Sequence, residues 1–357
     1  MAPLKSSLAR SLGKLLGVSK QQDLSLRGFG QGLRIPPITA SGGTKVTFGG
    51  VIYHTFTSSG AFVIDDTSGK SSISVDIMLQ GAGGGGGVIG GGGGAGGQVQ
   101  GTGVVFPVNN GPYPVTIGTG GNVAIQNQAG TDGSDTTISD PGQVLATAKG
   151  GGGGGSHAGD TNGAAGRPGG CGGGGSDNSS NATYGSNTQL AVTHVLSPLS
   201  NFGNRGGEGS PTYTSNPRGG GGGGGTGSVG QSWFNRGGGS GKPYTIPTNG
   251  DPSTQTEYWF GGGGGGGPYG NDQLGPGGRG GGGGGWNDGP NVVAPGGADG
   301  YGGDVNGNPT PEHNRGGRAA TNSGGGGGGA DWDDSPGFGT YRTGGPGILV
   351  ISYPTEA

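Results

Sequence analysis

The chain has 357 residues, of which 104 are glycine and 23 are proline, and only 27% are hydrophobic. Ordinary globular domains are about 45–50% apolar, so this composition excludes a conventional apolar core that extends through the whole chain. The formal net charge of −3 gives no basic field for nucleic acid, which argues against a DNA- or RNA-binding protein.

Residues 1–35 predict a docking segment that contains a short amphipathic helix. Leucines recur there at helical spacing, while Arg10 and Lys14 fall on the opposite side and Gly13 weakens the helix. A helix this short is marginal alone, so we expect it to dock on another chain. A membrane-surface helix and a disordered tail are the alternatives. The expected docking residues are the leucines of the stripe, Leu4, Leu8, Leu12, Leu15 and Leu16.

Residues 36–149 predict a small β module. The runs TKVTF, VIYHTF, AFVI and SISVDIML are rich in β-branched and aromatic residues and are separated by Gly and Ser-Gly turns. Further strands are predicted at residues 103–108, 113–117 and 143–148. The C-terminal sequence GILVISY predicts a strand at residues 347–353 that pairs with a strand from the start of the module, so that residues 344–357 complete it.

Residues 150–343 alternate pure glycine runs with loops that contain polar and aromatic residues. Collagen is excluded, because glycine does not recur at every third position with proline between. Flexible linkers separated by aromatic loops would serve no spacing role. Counting two runs that precede residue 150, the runs are 83–87, 90–94, 150–155, 219–225, 261–267, 280–285 and 324–329.

The glycine runs predict a bundle of polyglycine II helices. A threefold extended helix has no internal hydrogen bonds, so neighbouring helices must satisfy its outward N–H and C=O groups. Close parallel packing requires that no Cβ atom holds the helices apart. Ordering one residue costs about 1–2 kcal/mol and a net hydrogen bond returns about 0.5–1.5, so several helices must form together. The loops then emerge at the ends of the bundle.

This combination resembles the glycine-rich adhesins and glycine-rich-domain fibre proteins of tailed bacteriophages. The more specific parts of the resemblance are HTFTSSGAFVI, VDIMLQGAGGGGG and the closing GGPGILVISY, within roughly residues 44–353. Adhesins of this type sit at tail-fibre tips and contact a host surface receptor through their end loops. This chain departs from the compact tip adhesins in its N-terminal leader and its additional β sequence. Direct attachment to the virion and a position at the end of a long fibre are therefore equally expected.

The loop aromatics are the candidate receptor-binding residues. Aromatic side chains give a large contact area with few torsions to freeze, which suits protein and sugar surfaces. For any single aromatic, packing at a bundle end is the favoured alternative. For the group we favour recognition, because three adjacent aromatics are difficult to bury in a small core. The candidates are Trp233, Phe234, Tyr258, Trp259, Phe260, Tyr269, Trp286, Trp332 and Tyr341.

The sequence offers little for catalysis or metal binding. The histidines, His54, His157, His194 and His313, show no metal spacing and are expected to be solvated or hydrogen-bonding loop residues. The lone Cys171 has no partner for a disulfide. Asp331–Asp334 and the segment from Asp304 place oxygens close together, but neither completes a calcium loop, so solvated carboxylates are the default. No metal, cofactor or enzymatic activity is predicted.

The predicted fold is mostly β plus non-regular structure: a small β-sandwich-like module, an inserted polyglycine II bundle and a short N-terminal α-helix. The predicted function is a bacteriophage virion appendage, a tail fibre or adhesin on the virion surface. It would attach to other virion proteins through its N-terminus and bind a host receptor, protein or glycan, without nucleic acid or membrane insertion. A purely structural capsid or tail decoration is the alternative. If the leucine stripes of three chains packed together in a three-helix bundle, the protein would be a homotrimer. Neither the appendage hypothesis nor the decoration hypothesis decides the oligomeric state.

Overall fold

The computed structural model describes residues 38–66, 69–108, 111–123, 128–157, 164–177, 183–212, 218–248, 251–269, 273–285, 295–300, 317–330 and 342–355. The chain divides into two compact units, Met1–Pro36 and Pro37–Ala357. The first unit, with the predicted helix and its leucines, lies outside the described residues. The described part of the second unit is β-sheet and non-regular structure without an α-helix, which confirms the β-rich class.

The described part of the chain contains short and medium strands and one short 3₁₀ helix at Gln189–Ala191. The strands are β1 (Thr39–Ser41), β2 (Thr44–Phe48), β3 (Val51–Phe56), β4 (Gly60–Asp66), β5 (Ser72–Gln80), β6 (Gln98–Pro107), β7 (Tyr113–Thr116), β8 (Thr136–Asp140), β9 (Gln143–Ala148), β10 (Ser200–Phe202), β11 (Lys242–Thr248), β12 (Asp251–Phe260) and β13 (Ile348–Pro354).

Two sheets and a hairpin organise these strands. One sheet has the order β1-β4-β7-β8-β9, the second has the order β10-β6-β5-β13-β3-β2, and β11 pairs with β12 alone. The C-terminal strand β13 lies between β3 and β5 and is antiparallel to both. The predicted return of GILVISY to an early strand is therefore confirmed.

The turn between β2 and β3 illustrates how the sequence sets the register. Phe48 and Val51 are cross-strand partners, so only Gly49 and Gly50 form the loop. Both have positive φ, +58° and +78°. A two-residue hairpin turn of this kind suits the right-handed twist of the strands and strongly favours glycine at both positions. The Gly-Gly pair therefore fixes which side chains of β2 and β3 share a face.

The two sheets share one hydrophobic core. Alternate side chains of both sheets point into it, since successive residues of a strand face opposite sides. Phe62 and Tyr113 come from the five-stranded sheet, while Phe106 and Ile351 come from the six-stranded sheet. Tyr113 donates a hydrogen bond through its hydroxyl to the carbonyl of Pro107. This core stabilises the base from which the glycine segments extend.

His54 is buried in this core, in strand β3, so its expected place in a loop is wrong. Its ring stacks on Tyr353 at 5.7 Å between centroids and meets Phe62 edge-on at 5.3 Å. Burial lowers the pKa of His54 from its ordinary value, because a charged imidazolium loses its hydration there. The neutral ring therefore belongs to the packed core.

The opposite face of the six-stranded sheet is covered by the β11–β12 hairpin. Phe260 and Ile246 of the hairpin pack against Met78, Ile348 and Val350 of the sheet. Sequence analysis did not predict these two strands. The signal was available, because Asn249-Gly250 stands between them and this dipeptide is typical of tight hairpin turns.

The glycine segment 81–87 donates its backbone hydrogen bonds with a period of three. The N–H groups of Gly81, Gly84 and Gly87 reach carbonyls of segment 91–97, each at 2.9 Å. The N–H groups one residue later in the chain donate to carbonyls of segment 131–134. Those two residues later donate to carbonyls of segment 342–345. Each successive residue thus donates to a different neighbour and every third residue returns to the same one.

The carbonyls of the same stretch accept from other neighbours. Ala82, Gly85 and Val88 accept from the N–H groups of residues 151, 154 and 157 at 2.8–3.0 Å. Gly84 and Gly87 accept from residues 327 and 330, each at 3.0 Å. Segment 81–87 is therefore surrounded by other segments that satisfy its buried polar groups. The boundaries predicted at residues 36, 150 and 344 stay predictions.

Cys171 lies among these segments and is fully buried. Burial raises the pKa of its thiol from 9.0 to about 12, so the reactive thiolate is scarce at neutral pH. We expect an aromatic disulfide reagent at mildly alkaline pH to label the native protein roughly a thousandfold more slowly than the denatured chain. Native labelling at the denatured rate, measured with and without guanidinium, would contradict the burial of this thiol.

Candidate binding surface at the outer end of the glycine segments

The glycine segments have one end at the sheets and another end away from them. Segment 81–87 starts directly after β5 and leads to Val88, and segment 261–267 starts directly after β12 and leads to Tyr269. Their far ends are joined through the turn that follows Val88, because the N–H of Gly267 donates to the carbonyl of Gly90 at 2.9 Å. We call this region the outer end and the opposite region the sheet end.

A buried ionic cluster lies at the outer end. The Asp177 carboxylate is fully buried and is shared by two side chains from other segments. His157 places its Nδ1 2.7 Å from Asp177 Oδ1, and Arg218 places its Nε 3.0 Å from Asp177 Oδ2. His157 and Arg218 are themselves only 5% and 12% exposed. These ion-pair contacts bring three separate parts of the chain together around one carboxylate.

The cluster continues to the surface through an aromatic ring. The Arg218 guanidinium carbon lies 3.9 Å from the centroid of the Tyr269 ring. The N–H of Tyr269 also donates to the Arg218 carbonyl at 2.9 Å. A planar guanidinium stacked on an aromatic face is a favourable cation–π arrangement. Tyr269 is 39% exposed, so the stack holds a partly exposed ring in a fixed orientation.

A tight turn at residues 232–236 brings a second aromatic group to the outer end. The Arg236 carbonyl accepts from the N–H of Gly266 at 2.8 Å, and the N–H of Trp233 donates to the Glu208 carbonyl at 2.7 Å. Trp233 and Phe234 meet edge-to-face, with 5.9 Å between ring centroids. Phe234 is 58% exposed.

The buried Arg236 side chain links the backbone segments that carry the two aromatic groups. Its side chain is fully buried and donates to the Arg218 carbonyl at 2.9 Å and to the Gln273 carbonyl. The backbone that carries Tyr269 and the turn that carries Phe234 are therefore held by one guanidinium. Arg236 itself has a φ of +57°, a conformation that an L residue adopts at a cost. The outer end is thus a built surface with two partly exposed aromatic groups.

The aromatic candidates in β12 lie at the sheet end instead. Phe260 is completely buried and Tyr258 packs against the same cluster on the six-stranded sheet. The Arg279 guanidinium carbon lies 3.9 Å from the centroid of the Trp259 ring. The backbone N–H of Trp259 donates to the Asp299 carbonyl at 2.9 Å. The expectation that these three aromatics are difficult to bury is wrong for Phe260, because the back of the sheet supplies a second apolar surface that the sequence analysis did not include.

The remaining candidates cannot be placed. Trp286, Trp332 and Tyr341 lie outside the described residues, as do Asp331–Asp334 and the segment from Asp304. Across the described ranges, no group of three or more His, Cys, Asp and Glu side chains could hold a metal ion. Those ranges also contain no helix long and apolar enough to span a membrane.

Sequence analysis missed the ionic cluster. His157 was expected to be an isolated loop residue, whereas it is buried and paired with Asp177. A signal exists in retrospect: Ser156-His157 and Ser176-Asp177 each end a glycine stretch, and Arg218 directly precedes another. Charged residues at the outer ends of several runs meet because the runs lie side by side. Their pairing could not be read from the sequence without the order of the segments.

Comparison with known proteins gives one family. Residues 57–354 match a family model described as a glycine-rich domain. No curated protein is significantly similar in sequence to the chain.

Proposed function

The chain belongs to the glycine-rich domain family, since the family model covers most of its length, and from this premise we propose a surface-attachment protein of a bacteriophage virion. In this proposal residues 1–35 dock on other virion proteins. The glycine segments form a polyglycine II bundle, and its outer end binds a receptor, protein or glycan, on the host cell. The fibre or adhesin would thus be exposed on the virion surface.

The hydrogen-bond pattern supports the polyglycine II part of the proposal. A threefold helix turns each successive peptide group by about 120°, so every third N–H faces the same neighbour. Residues 81–87 donate with this period to three other segments. A bundle of this kind resists bending, because each helix is bonded to its surroundings on all sides. It suits a protein that must hold its binding loops away from its point of attachment.

The observation that carries the binding function is the pair of supported aromatic groups at the outer end. Phe234 is 58% exposed although it is a large apolar side chain, and Tyr269 is 39% exposed. The fully buried Arg236 fixes the backbone beneath both. Preorganised aromatics lower the entropic cost of binding a partner. In this proposal these aromatics recognise a molecule on the cell surface.

Binding to cells tests this proposal. The full chain would be labelled and titrated against a panel of bacterial strains with defined surface proteins and glycans. We expect saturable binding to a subset of strains, weakened at least about tenfold by Phe234→Ser, because central aromatic contacts dominate interface energies.

The matched control is Val144→Ser, which removes an exposed apolar side chain of β9 at the sheet end. We expect it to change the affinity less than about twofold. Absence of saturable binding to every strain would instead favour the structural decoration. Equal losses in the two variants would exclude the outer end as the binding surface.

A structural decoration is the second candidate, and the exposed side chains of the sheet end favour it. Val105, Val144, Leu190 and Val195 are each about half exposed in the second unit. Apolar side chains of this kind suit contact with a neighbouring virion protein. Under this alternative the glycine segments act as a rigid spacer, and Val144→Ser weakens incorporation into particles while Phe234→Ser does not.

A further inference from the structure

Two glutamines are buried where the six-stranded sheet meets the glycine segments. Gln80 is the last residue of β5 and Gln98 is the first residue of β6, and the two are direct cross-strand partners. Both side chains are fully buried. Partners in this position share a face of the sheet. Gln80 follows Met78 by two residues and therefore lies on the face that the β11–β12 hairpin covers.

Backbone carbonyls fix the orientation of the Gln80 amide. Its Nε2 donates to the carbonyl of Gly96 at 2.8 Å and to the carbonyl of Gly81 at 3.3 Å. Exchanging the nitrogen and the oxygen of this amide would place Oε1 against two acceptors. The other amide atom of Gln80 is therefore the oxygen, and it has no hydrogen-bond donor among the described residues.

A hairpin carbonyl fixes the orientation of Gln98 through Gln100. The Nε2 of Gln100 donates to the Pro243 carbonyl of β11 at 3.3 Å, so this amide atom must be the nitrogen. The same nitrogen donates to Gln98 Oε1 at 3.1 Å. The other amide atom of Gln98 is therefore the donor Nε2, and within the described ranges it has no acceptor.

The two unpartnered groups are complementary. Neighbouring strands bring together one buried donor and one buried acceptor, and either is costly without a partner. The Cβ atoms of directly opposite residues lie about 4.5–5.5 Å apart, and two hydrogen bonds through one water molecule span a similar distance. Buried waters bind where otherwise unsatisfied polar groups converge. Because both groups are uncharged amides, a neutral ligand is favoured over an ion.

We propose that one water molecule binds at this place, accepts a hydrogen bond from Gln98 Nε2 and donates one to Gln80 Oε1. Each of the two orphaned groups then has a partner without any movement of the two strands. The water site is independent of the proposed receptor binding, because it lies at the sheet end.

The bound water completes a chain of hydrogen bonds. The chain begins at Gln100, which is held by the Pro243 carbonyl of the hairpin, and passes through Gln98 and the water to Gln80. It ends at the carbonyls of Gly81 and Gly96. Each amide along it accepts at its oxygen and donates at its nitrogen, an order in which the hydrogen bonds strengthen one another. The water thus links the hairpin and the sheet to the first glycine segments.

Water–amide NMR of the full chain tests the site. In a sample with isotope-labelled glutamine, a water held beside Gln98 gives cross-peaks of opposite sign in NOE and ROE spectra at the side-chain amide, whereas chemical exchange gives equal signs. The matched control is the buried Gln189, whose Nε2 donates to the Thr147 carbonyl at 3.2 Å and to the Asn201 side-chain oxygen at 2.9 Å. We expect the water cross-peak to be at least about fivefold stronger at Gln98 than at Gln189.

Two results would overturn the water site. The first is a cross-peak that is missing at Gln98 or equally strong at Gln98 and Gln189. The second is a crystal structure in which Gln98 Nε2 donates directly to Gln80 Oε1, with no water between the two amides.

A pair of variants tests the bridge itself. Gln80→Met removes the acceptor of the water, so the water cross-peak of the Gln98 amide should weaken at least about threefold. Gln143→Met changes an exposed glutamine of β9 and should leave that cross-peak unchanged. Equal cross-peaks in the two variants would show that Gln80 does not hold the water. If Gln80→Met fails to fold, the comparison of Gln98 with Gln189 in the native chain decides the proposal.

Discussion

Replacing Gly264 with alanine is expected to destabilise the protein by at least about 3 kcal/mol, measured as the free energy of unfolding in denaturant. A Cβ atom at this position would lie 2.0 Å from the carbonyl oxygen of Gly327 and 2.6 Å from its carbonyl carbon. Both atoms belong to backbone, so no side chain can rotate away. The two segments would have to separate, and the hydrogen bonds between them would be lost.

The loss would extend beyond one contact. The N–H of Gly264 donates to Gly93 at 2.9 Å, and its carbonyl accepts from Gly223 at 2.8 Å. Moving the segment would therefore disturb its bonds with at least two other segments. Unsatisfied buried backbone groups cost about 1–3 kcal/mol each. Since a folded domain is stable by only about 5–15 kcal/mol, we expect poor expression of folded protein.

The matched control is Gly60→Ala at the start of β4. The nearest atoms that a Cβ would meet there are ring carbons of Phe56 at 3.9 Å, an ordinary van der Waals distance. The change should be neutral or slightly stabilising, because alanine lowers the entropy of the unfolded chain. Equal effects at Gly60 and Gly264 would refute the view that close backbone packing is what requires glycine in the segments.

Replacing Asp177 with asparagine is expected to lower the free energy of unfolding by about 3–5 kcal/mol, because it removes the fully buried carboxylate that pairs with both Arg218 and His157. Asparagine has one oxygen where the carboxylate has two. Its amide nitrogen would face either His157 Nδ1, now 2.7 Å from the carboxylate, or Arg218 Nε. Either way, the ion-pair contacts of the carboxylate with these two side chains are lost.

Asp299→Asn is the comparison for this measurement. Asp299 pairs with Arg279 at 2.7 Å, but the two side chains are about half exposed. Exposed ion pairs contribute about 1 kcal/mol or less, so this variant should unfold almost as the native protein does. If Asp177→Asn were equally mild, the ionic cluster would not be what holds the outer end together.

The β module could be predicted because its signals are local. Alternating β-branched residues and glycine turns marked β2, β3, β5 and the closing β13, and the structure confirms these strands. The short strands β1 and β10 were missed, because three residues carry too little pattern. Sequence analysis also assigned receptor binding to Tyr258, Trp259 and Phe260 together. Phe260 is instead buried against the six-stranded sheet, and this burial could not be predicted because it depends on residues far apart in the chain.

The candidate site was harder to predict for a related reason. Glycine runs have no side chains to specify which run lies beside which, so the neighbours of Asp177 could not be derived. Their order is set by backbone hydrogen bonds and by the residues at their ends. Phe234 and Tyr269 were candidates because they lie beside or close to glycine runs, whereas the buried Arg236 and Arg218 beneath them were not considered. Whether these aromatics bind a receptor stays a prediction.

The central place of β13 in its sheet has a consequence for synthesis on the ribosome. Residues 81–347 separate β5 from the strand that must lie beside it. Until that strand emerges, β3 and β5 lack the neighbour between them, and closure of so long a loop is slow. A chain that terminates prematurely within the glycine segments cannot complete the six-stranded sheet. Completion of the six-stranded sheet therefore depends on translation having passed β13.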